Sequence, residues 1–104
     1  MSSLRGEVAI VGAADSRVGI VPDLDANELC ADAILLALAD AGINKDQVDG
    51  LITCNSMSKP MLYHAEAMAE YLQIFPRYCI AAGAGGGTTF SILHHAASAI
   101  VTGM

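Results

Sequence analysis

The sequence predicts an α/β fold. Short Val- and Ile-rich runs, of the kind that fill strands buried on both faces, recur along the chain. Between them lie segments whose apolar residues repeat at helical spacing, and turn residues stand at the joints. Strands alternating with helices through short connections imply βαβ crossovers and a largely parallel sheet, here in the order β-α-β-α-β-α.

The first run, "EVAIVGAA" at residues 7–14, reads as a strand ended by Gly12 and "DSRVG". A helix over residues 26–41 follows. Asp25 stands where a capping residue belongs, and Glu28, three residues later, completes capping-box spacing. Leu29, Ala33, Leu36 and Ala37 mark its apolar stripe, and Gly42 is placed to end it. A second strand is expected over residues 50–54. The polar loop "NSMSKP" then leads to a helix over residues 61–72, with Pro60 at its first turn and Leu62, Ala65, Ala69 and Leu72 on one side. "RYCIAAG" is the third strand, and a third helix is expected over residues 88–102. In that helix Phe90, Ile92, Leu93, Ala96, Ala97, Ala99, Ile100 and Val101 leave no polar face. Such a helix is expected to be enclosed, with a further layer of protein beyond it.

Composition bounds the partners. Of 104 residues, 54% are hydrophobic and only 15% charged, which fits a packed core and argues against a disordered chain. So apolar a surface on so short a chain is expected to be covered by more chain or another subunit. Acidic residues outnumber basic ones 11 to 5, for a formal charge of −6. The basic residues Arg5, Arg17, Lys45, Lys59 and Arg77 are scattered. Neither a nucleic acid nor an anionic membrane is therefore an expected partner. Cys30, Cys54 and Cys79 lie far apart, an odd set that reads as free thiols, with no spacing for zinc. No run has the length of a signal-peptide core or a transmembrane helix, and the cytoplasm is the expected location.

The small-residue run "AAGAGGGTT" at the start of the last helix leaves three readings open. Strand, glycine turn and helix could aim backbone N–H groups and the helix dipole at a nucleotide phosphate. The Walker lysine is missing, however, and Thr88 occupies the third-glycine place of a G-x-G-x-x-G pattern begun at Gly83 and Gly85. The glycines could instead serve tight packing alone. In the third reading, Gly85, Gly86, Gly87 and Thr88 bind a thioester, with small residues leaving room for an acyl chain. Thr88 and Thr89 otherwise read as N-caps, and His94 and His95 as core histidines without metal-ligand spacing.

The run from "VAIVGAADS" through "VDGLITC" to "GGGTTFSILHHAASAIVTG" resembles the N-terminal half of the thiolase superfamily, in the branch that includes lipid-transfer and acetyl-CoA acetyltransferase-like proteins. The resemblance spans nearly the whole chain. It implies a thiolase-like layered fold of which residues 1–104 are a partial N-terminal domain, truncated before further strands. It also implies a homodimer acting on acyl-CoA, with the CoA thioester as substrate and no separate cofactor. Thiolases carry a nucleophilic cysteine at the start of the third helix, where the helix terminus favours a thiolate. Counting back from Ile100 and Gly103 puts Gly86 at that place and Thr89 at the family's glycine. Some thiolase-like proteins without the cysteine cleave carbon–carbon bonds of CoA thioesters by retro-aldol chemistry, often with a small OB-fold partner, and the resemblance favours that reaction over thiolysis here. Their acid and base groups come from the other half, so no catalytic residue is assigned here. A non-catalytic acyl-CoA-binding or pairing subunit and a nucleotide-binding α/β domain stand as the alternatives.

Overall fold

The computed structural model describes residues 3–104. It is a small α/β unit with the order α1 (Ala26–Ala41), a 3₁₀ turn (Lys45–Gln47), β1 (Gly50–Thr53), α2 (His64–Leu72), β2 (Tyr78–Ala81) and α3 (Thr88–Val101). Strands β1 and β2 pair in parallel, with Gly50 opposite Tyr78 and Thr53 opposite Ala81.

Helix α1 has the bounds and caps its sequence dictates. The Asp25 carboxylate accepts from the Glu28 N–H at 2.8 Å, and the Glu28 carboxylate accepts from the Asp25 N–H at 3.0 Å. Gly42 ends the helix at φ 69°, a left-handed conformation that glycine adopts without steric cost. The buried side differs from the expected stripe. Ala31 is buried, with Cys30 and Ile34 packed beside it, whereas Leu36 is exposed.

The core joins Ala31, Leu51, Met68, Ala69, Leu72 and Ile74, so α1 and α2 share one face of the sheet. Side chains alternate along β1. Leu51 and Thr53 face α2, and Ile52 faces the opposite side, where it lines a groove with Ile92 and Ala96 of α3. Helix α2 ends on Gln73, a non-glycine residue at φ 58°, and the Ile74 N–H returns to the Ala69 carbonyl at 3.0 Å.

Several expectations are corrected. Residues 7–14 form no strand: their fixed points lie on α1, not on a neighbouring strand. Gly12 presses so closely that a Cβ there would stand 2.5 Å from the Ala37 carbonyl oxygen. The Ala13 N–H donates to the Asp40 carboxylate at 3.1 Å. Helix α2 begins at His64, not at residue 61, because the Asn55 side chain holds Met61 in the preceding loop. It accepts from the Met61 N–H at 3.0 Å and donates to the Met61 carbonyl at 2.6 Å. Leu62 consequently lies outside the helix and is exposed.

The expectation of an enclosed last helix is corrected as well. Only Thr88 and Ala99 of α3 are buried, while Phe90, Leu93, Ile100 and Val101 are exposed, as are His94 and His95. A two-stranded sheet can cover one side of a helix only, and among the described residues nothing lies over its outer flank.

Candidate functional site

Strand register brings two loops to one end of the sheet. Thr53 and Ala81 are paired at the carboxyl ends of β1 and β2, and the Ala82 N–H donates to the Thr53 carbonyl at 2.8 Å. From there the chain runs into residues 54–63 on one side and the glycine loop on the other. Open α/β sheets bind ligands beyond this end of their strands.

The glycine loop is braced from within. The Thr88 hydroxyl donates to the Gly85 carbonyl at 2.7 Å and accepts from the Ala84 N–H at 2.8 Å. Gly85 sits at φ 60°, and the Gly87 N–H returns to the Ala84 carbonyl at 3.2 Å. Thr88 is therefore a buried brace; the expected N-cap is absent, and Gly87 occupies the cap position with no side chain to offer. Thr89 is exposed and caps nothing.

Gly86 is exposed, and a Cβ added there would meet no atom within 4 Å. Its φ lies outside the left-handed region, so a side chain could be borne without strain. The four expected binding residues are thus brought together in one turn at the start of α3. That turn opens to solvent and lines neither of the two clefts described below.

Neither Cys30 nor Cys79 compensates for Gly86. Burial pushes the Cys79 thiol up, and the Glu66 carboxylate beside it adds to the effect. Burial also pushes Cys30 up, reinforced by Cys54. Both shifts disfavour the thiolate that nucleophilic chemistry needs.

A second constellation escaped the sequence reading. His64 is only 2% exposed and bridges three elements. Its Nδ1 lies 2.8 Å from the Thr53 hydroxyl and its Nε2 lies 3.0 Å from Asn27 Oδ1. The Asn27 amide nitrogen already donates to Met61 Sδ at 3.2 Å, so its oxygen faces the ring. This arrangement assigns the imidazole proton to Nε2, with the Thr53 hydroxyl donating to Nδ1. A signal was available: His64 stands four residues before Met68 on the inward stripe of α2.

Asn27 also lines a cleft of about 390 Å³. Asp25 and Glu28 of the α1 start, Lys59 and Met61 of the loop, and Met68 and Tyr71 of α2 form its walls. Lys59 Nζ meets Asp25 Oδ2 at 2.6 Å. That contact holds the Asp25 carboxyl below the usual carboxylate range, aided by the Glu28 N–H, and raises Lys59. A second cleft, about 330 Å³, lies between β1 and α3 and is mostly apolar. Among the described residues no group of three or more His, Cys, Asp or Glu is placed to hold a metal ion, and no helix is long and apolar enough to cross a membrane.

The site thus defines an α/β segment with an open helix start at the carboxyl end of a parallel strand pair. The chain is 32% identical over 106 residues to a steroid side-chain-cleaving aldolase of Thermomonospora curvata, with all of this chain and 26% of the relative aligned. It is 33% identical over 103 residues to the 17-hydroxy-3-oxo-4-pregnene-20-carboxyl-CoA lyase of Mycobacterium tuberculosis, with 97% of this chain and 25% of the relative aligned. The chain therefore spans about a quarter of the length of these relatives. No protein-family profile matches it.

Proposed function

We propose that this chain is part of a thiolase-like enzyme that cleaves a carbon–carbon bond in a β-hydroxyacyl-CoA by retro-aldol chemistry. The observation that carries the proposal is the end-to-end likeness to an aldolase and a CoA lyase. The placement of a glycine, and no thiol, at the open start of α3 supports it. In such a reaction a base removes the proton of the β-hydroxyl. The Cα–Cβ bond breaks, the β-carbon becomes a carbonyl, and the electron pair moves onto the thioester as an enolate. Protonation at Cα then releases the shortened acyl-CoA. Free CoA is not consumed, in contrast to thiolysis.

Gly85, Gly86, Gly87 and Thr88 are assigned to seating the thioester. The first N–H groups of a helix have no partner within it, and the helix dipole favours negative charge there. An enolate oxygen placed at this turn would gain from both. Thr88 acts by holding the turn in shape. The acid and base groups are assigned to chain outside these residues. A homodimer with thiolase-like layering, and a small OB-fold partner, belong to the same proposal. The exposed apolar flank of α3 supports the need for such cover.

The test is turnover by the intact protein of a β-hydroxyacyl-CoA, with and without free CoA. The proposal expects a ketone or aldehyde and a shortened acyl-CoA at a rate independent of free CoA. Cleavage of a β-ketoacyl-CoA that requires free CoA, with the β-hydroxyacyl-CoA left intact, would establish thiolysis instead. Binding of acyl-CoA with no turnover would indicate a non-catalytic subunit.

A further inference from the structure

The loop of residues 54–63 has an unusual set of attachments. Both roots are fixed, because Thr53 and His64 are buried and joined through the 2.8 Å contact between the Thr53 hydroxyl and the imidazole. Within the loop, Asn55 staples both backbone groups of Met61, and the Lys59 N–H donates to the Ser56 hydroxyl at 2.8 Å. The loop is thus tied at its two roots and by three bonds within itself. Its outward side chains bury nothing: Met57 is 99% exposed and Leu62 88%.

Its hold on α1 is slight by comparison. It consists of the Lys59–Asp25 ion pair and of the Asn27 amide, which reaches the Lys59 carbonyl at 3.5 Å and the Met61 sulfur at 3.2 Å. Lys59 and Met61 form one wall of the 390 Å³ cleft, and Asp25, Asn27 and Glu28 stand opposite. Moving the loop away from α1 would open that cleft and leave the bonds from the Lys59 and Met61 amides to Ser56 and Asn55 free to open with it, while the core stays intact.

We propose that residues 54–63 form a strap that gates the cleft between α1 and α2, with the Lys59–Asp25 ion pair as its latch. The two functions of Asp25 are separable. Oδ1 accepts the capping bond from the Glu28 N–H, and Oδ2 meets Lys59. Asp25→Asn keeps an acceptor for the cap and removes the charge that holds the strap. Lys59→Met keeps the aliphatic stem and removes the other charge.

The experiment is hydrogen–deuterium exchange on the intact protein, read at the Lys59 and Met61 amides of the strap and the Glu28 amide of α1. Each single variant is expected to speed strap exchange about two- to five-fold, the range of an exposed ion pair, with Glu28 unchanged. The double variant should be no faster than either single one, since both remove the same contact. Raising salt on the unmodified protein should accelerate the strap amides in the same direction. Strap amides that ignore both substitutions and salt would overturn the latch. So would an Asp25→Asn effect as large at Glu28 as in the strap, which would trace the change to the helix cap.

Discussion

Helices α1 and α3 begin in opposite ways. The start of α1 is closed by its own side chains: Asp25 and Glu28 cap it reciprocally, Lys59 neutralises the cap, and Asn27 is held by buried His64. The start of α3 has no side-chain cap, a glycine at the cap position, and open space beside Gly86. A helix start that is satisfied internally has no capacity left for a ligand. One stripped of side chains, yet braced from beneath by Thr88, uses the Gly87 and Thr88 N–H groups within the loop and leaves those of Gly86 and Thr89 without a backbone partner. The contrast separates a structural helix end from one suited to an incoming carbonyl.

The largest expected effect falls on the closed side. His64→Ala leaves the Thr53 hydroxyl and the Asn27 carbonyl without their buried partner and opens a cavity between three elements. It should cost about 2–4 kcal/mol, read as a lower denaturant midpoint at unchanged slope. A loss below about 0.5 kcal/mol would mean that the bridge does not hold the start of α1.

Asp25→Ala removes the cap as well as the partner of Lys59 and should lower the denaturant midpoint, by less than His64→Ala does. This helix start should also be the acid-sensitive one. The Asp25 carboxyl is depressed chiefly by its hydrogen bond with Lys59, so its contribution is complete above the unfolded carboxylate value and fades as pH falls through the lower folded one. Glu28 and Lys59 are the charged groups that face it. The protection of the strap amides, taken relative to the intrinsic exchange rate at each pH, should therefore fall on acidification in the unmodified protein and less so in Asp25→Asn.

On the open side, Thr88→Val removes the brace between Ala84 and Gly85 and leaves the helix intact. It should cost about 1 kcal/mol and weaken acyl-CoA binding, measured by calorimetry. The smallest effect is expected for Gly87→Asn. A Cβ there would stand 3.6 Å from the Ala84 carbonyl oxygen, an ordinary contact, and φ −86° bears a side chain without strain. Stability should rise by a few tenths of a kcal/mol, because the unfolded chain loses glycine's freedom, while acyl-CoA binding falls as the side chain occupies the seat. A gain in both would break the contrast.

How much of this was legible follows from where the information lies. Helix α1 was readable to its end residues because its signals are local: a capping box at one end and a left-handed glycine at the other. The cores of β1, β2 and α3 were readable from composition and period. Residues 7–14 were misread because a Val- and Ile-rich run becomes a strand only beside a free edge, and Gly12 instead packs on α1. The start of α2 was misread because Asn55, six residues upstream, captures the Met61 backbone. At the glycine loop, residue types pointed to a bare helix start, but the inward turn of Thr88 depends on a fold in space. His64 was missed because its partners, Asn27 and Thr53, lie 37 and 11 residues away.

The central claim, that the start of α3 is an open seat for a thioester carbonyl, is tested most directly by alkylation of Gly86→Cys in the intact protein. The new thiol would occupy unstrained, open space at a helix N-terminus, in contrast to Cys30 and Cys79, whose thiols are pushed up. The account predicts that iodoacetamide modifies it faster than Cys30, Cys54 or Cys79 at neutral pH, and that acyl-CoA slows the reaction. A thiol that reacts no faster than those three and is indifferent to acyl-CoA would contradict it.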